Sequence, residues 1–160
     1  MHNINHQRGP NDVTATNLKV EKWNREGRNH AFLLKRMGED YEGLEFEDFV
    51  LGYMNDIMEN ILKQTTSVIC IDGTHGTNKM KYELVTVLTQ DENKMGFSVA
   101  FRLSNRRDQI IIKFFLKTLV LKLGRPISCQ YIMRDDETRF YNAWIKIMNA
   151  AEKPGRLLCS

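Results

Sequence analysis

The chain has 160 residues, 42% of them apolar, which suits one domain with a buried core and argues against a disordered tail. Lys and Arg number 23 against 20 Asp and Glu, a net charge of +3, and the excess is uneven. Residues 1–64 hold 8 basic and 11 acidic side chains, and residues 65–160 hold 15 and 9. No apolar run approaches the ~20 residues of a membrane span, and MHNINHQRGPND lacks the apolar centre of a secretory signal, so a nuclear or cytoplasmic protein is expected, neither secreted nor membrane-bound. The three cysteines, Cys70, Cys129 and Cys159, have no CxxC spacing, so reduced thiols are expected rather than a disulfide framework, with Cys70 and Cys129 buried in strands.

Residues 1–12 are polar and aperiodic, with Gly9-Pro10, and read as a disordered or extended arm. Residues 13–37 hold a candidate short helix with Trp23, Phe32, Leu33 and Leu34 before the Gly-rich turn Gly38 to Gly43. Residues 1–44 are thus read as an N-terminal arm and linker. From Glu45 the apolar residues Phe46, Phe49, Val50, Tyr53, Met54, Ile57, Met58, Ile61 and Leu62 follow helical spacing, which predicts an amphipathic helix over 45–64 docking on the following domain.

Residues 65–160 are read as that domain. Strands are predicted at Val68–Asp72, Tyr82–Thr89 and Phe97–Leu103, joined by polar turns into an antiparallel run. Ser104-Asn105 offers N-cap oxygens to a helix from Arg106 to Leu123, with Ile112, Phe115, Leu116, Leu119, Val120 and Leu123 as its buried stripe and Gly124 and Pro126 as its stop. A strand Ser128–Met133, a helix of about Glu137–Ala150 with Phe140, Trp144, Ile147 and Met148 inward, and a strand starting at Arg156 complete the order βββαβαβ. The fold class expected is therefore α/β, a mixed sheet preceded by a helical N-terminal segment.

Two of these strands end in acid. Val68–Ile71 delivers Asp72 into a polar turn, and QYIMRDDE delivers Asp135 and Asp136. A right-handed crossover laying the fourth strand parallel to the first would bring Asp72 and Asp135 to neighbouring strand ends, as a shared metal site requires. Singly, each aspartate reads more readily as a turn residue or a helix N-cap than as a metal ligand, and Asp136 is the better candidate for the cap. Arg106 and Arg107 are candidates for phosphate contact, whereas Trp144 reads as core and His75 as a turn residue.

The blocks ICIDGTHGTNKMKYELVTVLTQDENKMGFSVAFRLSNRRD, FF in the next helix, YIMRDDETRFYNAW and LLCS resemble, in this order, the transposase domain of Mutator-like elements, MULE. EFEDFVLGYMNDIMENIL resembles, more weakly, the helix that precedes it. The resemblance implies the ribonuclease H-like fold of DDE transposases and integrases, with Asp72 and Asp135 as the first two catalytic acids and metal ligands, and Asp136 as a further candidate ligand. It implies Mg²⁺ or Mn²⁺ as cofactor, held by hard oxygen ligands, with Thr74, His75 and Asn78 lining the first turn. It implies DNA, the transposon ends, as partner, and leaves homo-oligomerisation open.

The departures are specific. Arg134 stands where a small Ser or Thr usually precedes the aspartate. Cys159 matches the Cys of a Cys-x-x-His element whose His is not present, so zinc is not expected, and no residue corresponds to the family's third acid, a Glu on a later helix. The expectation is a C-terminally truncated transposase domain, ancestrally one of metal-dependent DNA strand cleavage and transfer and inactive alone. The alternative is a host-retained, non-catalytic DNA-binding or protein-interaction module.

Overall fold

The computed structural model describes Lys22 and residues 30–64, 67–74, 82–90, 93, 95–134, 138–148 and 153–158. Strands Ala31–Lys35 (β1) and Val50–Tyr53 (β2) precede helix Asp56–Gln64 (α1). Strands Val68–Thr74 (β3), Glu83–Gln90 (β4) and Gly96–Ser104 (β5) follow, then helix Gln109–Leu123 (α2), strand Tyr131–Arg134 (β6), helix Arg139–Met148 (α3) and strand Gly155–Leu158 (β7). Among the described residues these strands form one seven-stranded mixed sheet in the order β1-β2-β5-β4-β3-β6-β7. Pairing is antiparallel from β1 through to β3 and parallel from β3 to β6 and from β6 to β7. From β3 onward the order is the βββαβαβ expected of the sequence, and the mixed α/β class is as expected.

The N-terminal part differs from expectation in two ways. Ala31–Lys35 is an edge strand paired with β2, where a short helix and linker were expected. The predicted helix over 45–64 exists only from Asp56; Val50–Tyr53 is a strand paired with β5, Val50 opposite Ser104 and Tyr53 opposite Phe101. Lys35 gives one physical reason. Its fully buried ammonium donates to the carbonyls of Glu45 at 2.8 Å, Phe46 at 2.9 Å and Asp48 at 2.7 Å, acceptors that a helix through 45–52 would need for itself. Asn105 completes the clamp, accepting from the Phe49 N–H at 2.9 Å and donating to the Glu47 carbonyl at 2.9 Å. Of the stripe expected on a single helix, Phe46 is 60% and Ile57 70% exposed, while Met58 and Leu62 are buried on the shorter helix that Asn55 caps through the Met58 N–H.

α2 begins later than predicted for a related reason. Asn105 is committed to the loop, Ser104 Oγ accepts from the Arg106 N–H at 3.0 Å, and the N-cap is Asp108, whose carboxylate accepts from the Ile111 N–H at 3.3 Å. Gly124 closes the helix at φ +81°, a left-handed conformation suited to glycine, donating to the Val120 carbonyl at 2.8 Å. Ile111, Ile112, Phe115, Leu116, Leu119 and Leu123 of α2 join Phe140, Ala143, Trp144 and Met148 of α3 in the core, so Trp144 is a core residue as expected. These helices cover the face of the sheet that carries Ile69, Ile71, Val85, Val87 and Ile132. Among the described residues no helix is long and apolar enough to cross a membrane.

Candidate active site

Asp72 sits near the end of β3, opposite Thr86 of β4, and is exposed. Its strand neighbours point the other way. A Cβ placed on Gly73 would lie 3.4 Å from the Phe140 ring of α3, so Gly73 faces the helices and alternation puts the Asp72 carboxylate on the opposite face of the sheet. The same Cβ would lie 3.3 Å from Glu83 Oε2, so a side chain at position 73 would crowd both Phe140 and Glu83.

The parallel ladder between β3 and β6 runs from Val68 opposite Tyr131 to Ile71 opposite Arg134. Asp72 therefore stands one residue past the last rung on β3, and Asp135 is the residue that follows that rung in the chain. Asp135 and Asp136 lie outside the described residues, as do His75, Asn78 and Cys159; Thr74 is exposed at the end of β3. The carbonyl of Thr138 accepts the Asn142 N–H at 3.0 Å, so the N-cap position of α3 falls at Thr138 rather than at Asp136.

Beneath this strand end lies a buried ion cluster that sequence reasoning missed. Glu83, at the start of β4 and fully buried, accepts through Oε1 from Arg102 Nη2 and through Oε2 from Arg139 Nη2; Arg139 Nη1 lies 3.4 Å from Oε1. Arg139 Nη1 also donates to the Arg107 carbonyl, and its own carbonyl accepts from Gln109 Nε2 at 2.8 Å, which fastens the start of α3 to the start of α2. Arg102 is fully buried, and its Nε and Nη1 have no hydrogen-bond partner among the described residues. Burial lowers the Arg102 pKa and the Glu83 carboxylate opposes that shift. Two guanidiniums share one buried carboxylate, at the entry to the helix that follows the acidic segment.

The two arginines expected to meet phosphate differ. Arg106 is already neutralised: Nε donates to both Asp108 oxygens at 2.9 and 3.0 Å, and Nη1 to Asp48 Oδ2 at 2.8 Å. Arg107 is exposed. Cys70 and Cys129 are only partly buried rather than sealed in the core, and burial pushes the Cys129 thiol up to about 11, far from a reactive thiolate.

As a ligand for a divalent ion, Asp72 has the right chemistry, a hard anionic oxygen at the surface of a rigid strand. Among the described residues no three His, Cys, Asp or Glu side chains gather into a metal site, so Asp72 would need ligands from beyond them.

The comparison with known families decides what this arrangement belongs to. The MULE transposase domain matches residues 68–154, more than half of the chain, from the first residue of β3 to the residue before β7. The chain belongs to the MULE transposase family. The MULE match thus contains Asp72, the segment 135–137 and all three members of the Glu83 cluster, and leaves β1, β2 and α1 outside it. No match is found among curated proteins or among solved structures.

Proposed function

We propose that this chain is a transposase-related domain of ribonuclease H-like type whose acidic site is built on Asp72 and Asp135, with Asp136 as an accessory ligand, and whose partner is DNA. The observation that supports this most is the parallel β3–β6 ladder: within the matched family segment, it ends at Ile71 opposite Arg134, and each of those residues is followed by an aspartate. Mg²⁺ or Mn²⁺ held by such carboxylates would polarise a phosphodiester for strand cleavage and transfer. Asp72 supplies a fixed anionic ligand, and the β3 backbone holds it in place. Arg139, anchored on Glu83, fixes the start of α3 and with it the exit of the acidic segment.

No residue among the 160 is assigned the role of the family's third acid. Two carboxylates hold a two-metal site poorly, so the 160-residue chain by itself is expected to nick DNA weakly or not at all in Mg²⁺ or Mn²⁺. Incubation with supercoiled plasmid tests this: robust nicking that disappears in Asp72→Ala would overturn the claim of inactivity and support the site. The reading of the chain as a non-catalytic DNA-binding module is favoured by one observation of its own, the absence of Asp and Glu from the sequences of α2 and α3.

A further inference from the structure

α2 and α3 together span 25 residues, QIIIKFFLKTLVLKL and RFYNAWIKIM, and contain five cations and no carboxylate. Two of the cations are already used. Arg139 is bound to Glu83, and Lys122 lies 3.5 Å from Glu59. The other three, Lys113, Lys117 and Lys146, form no ion pair among the described residues. Lys113 and Lys117 are one turn apart on α2, and Lys117 and Lys146 are exposed. α3 brings Lys146 against Lys113 closely enough that the charge of Lys146 lowers the Lys113 pKa. Like charges held together on a rigid surface repel, and an anion bridging them relieves that repulsion. Asn142, one turn before Lys146 and exposed, adds an amide donor along the same side of α3.

We propose that this outer surface of α2 and α3, built on Lys113, Lys117 and Lys146, binds the phosphate backbone of duplex DNA as a docking surface separate from the acidic site. The assignment of DNA, rather than another polyanion, rests on the transposase reading. The location does not follow from that reading. Asp72 projects from the sheet face away from the helices, so phosphates held by the lysines and a phosphodiester delivered to Asp72 approach from opposite sides of the sheet. The surface contacts backbone and not bases, because lysines on an exposed helix face offer point charges without base-edge pairing geometry.

Fluorescence anisotropy of a short random-sequence duplex across a salt series tests the surface on the intact chain. The Lys113→Gln/Lys117→Gln/Lys146→Gln variant is expected to lower the slope of log affinity against log salt by about 3, roughly one for each lost phosphate contact, while the triple Lys→Arg variant keeps the slope. A melting transition like that of the parent shows that the glutamine variant folds. If it does not fold, the single variants Lys117→Gln and Lys146→Gln, each expected to lower the slope by about 1, carry the test. Binding by the parent with an unchanged slope in the variants overturns this surface and leaves the transposase reading standing. No duplex binding by the parent at low salt overturns both. Tighter binding of polyglutamate than of duplex, lost in the same variants, assigns the surface to an acidic protein and overturns the DNA proposal.

Discussion

Single residues carry more of this architecture than their number suggests, and Glu83 is the clearest case. It is fully buried beside two guanidiniums, one of which, on Arg102, is fully buried as well. Removing the carboxylate leaves a buried cation without its counter-charge, a change that typically costs about 3 to 5 kcal/mol. Glu83→Ala is therefore expected to lower the urea-unfolding free energy by that amount, and Glu83→Leu/Arg102→Met to recover most of it. A single-variant loss below about 1 kcal/mol would show that the cluster is not the structural tie described. The cluster was illegible in the sequence for a simple reason: Glu83 and Arg102 are 19 residues apart, and only the β4–β5 register, with Val85 opposite Arg102, brings them together. Asp72 was legible because an acid that ends an apolar β-branched run is conspicuous without any knowledge of its partners.

At the scale of elements, apolar periodicity found what tertiary contacts did not override. The α2 stripe was read correctly apart from Val120, which is only partly buried, and Ile111, which is fully buried. The predicted 45–64 helix failed because helical spacing of apolar residues was satisfied by a loop, a strand and a shorter helix in turn, and because the Lys35 ammonium captures three carbonyls there. The cap of α2 was misplaced by three residues, from Asn105 to Asp108. Asp108→Ala is expected to destabilise the protein by about 1 kcal/mol near neutral pH. Burial raises the Asp108 pKa, but the hydrogen bonds from Arg106 and the Ile111 N–H outweigh it and hold the carboxyl below its usual 3.8. A group depressed on folding stabilises above its unfolded value, so the difference between parent and Asp108→Ala should shrink as pH falls below about 4. Thermal melts at neutral and acid pH measure it, and a difference that grows on acidification would contradict the cap.

For the whole molecule, the sheet order made the candidate site legible in outline and hid its surroundings. The parallel placement of the fourth strand of the expected βββαβαβ beside the first was foreseen from the crossover, and β6 does pair with β3. The two extra strands on the far edge were not foreseen, and they lie outside the family match. The distribution of charge was visible in the sequence as a basic excess beyond residue 64, but its focus was not. Arg106 proved to be paired with Asp48 and Asp108, while three lysines of α2 and α3, Lys113, Lys117 and Lys146, have no ion-pair partner among the described residues.

If Asp72 and Asp135 together hold a divalent cation, Mn²⁺ binding measured by electron paramagnetic resonance reports it without requiring turnover. The parent chain is expected to bind Mn²⁺, and both Asp72→Ala and Asp135→Ala to weaken that binding at least tenfold, about 1.4 kcal/mol or more, with the melting transition retained. Mn²⁺ binding unchanged in either variant, or absent from the folded parent, would rule out a cation site shared by Asp72 and Asp135.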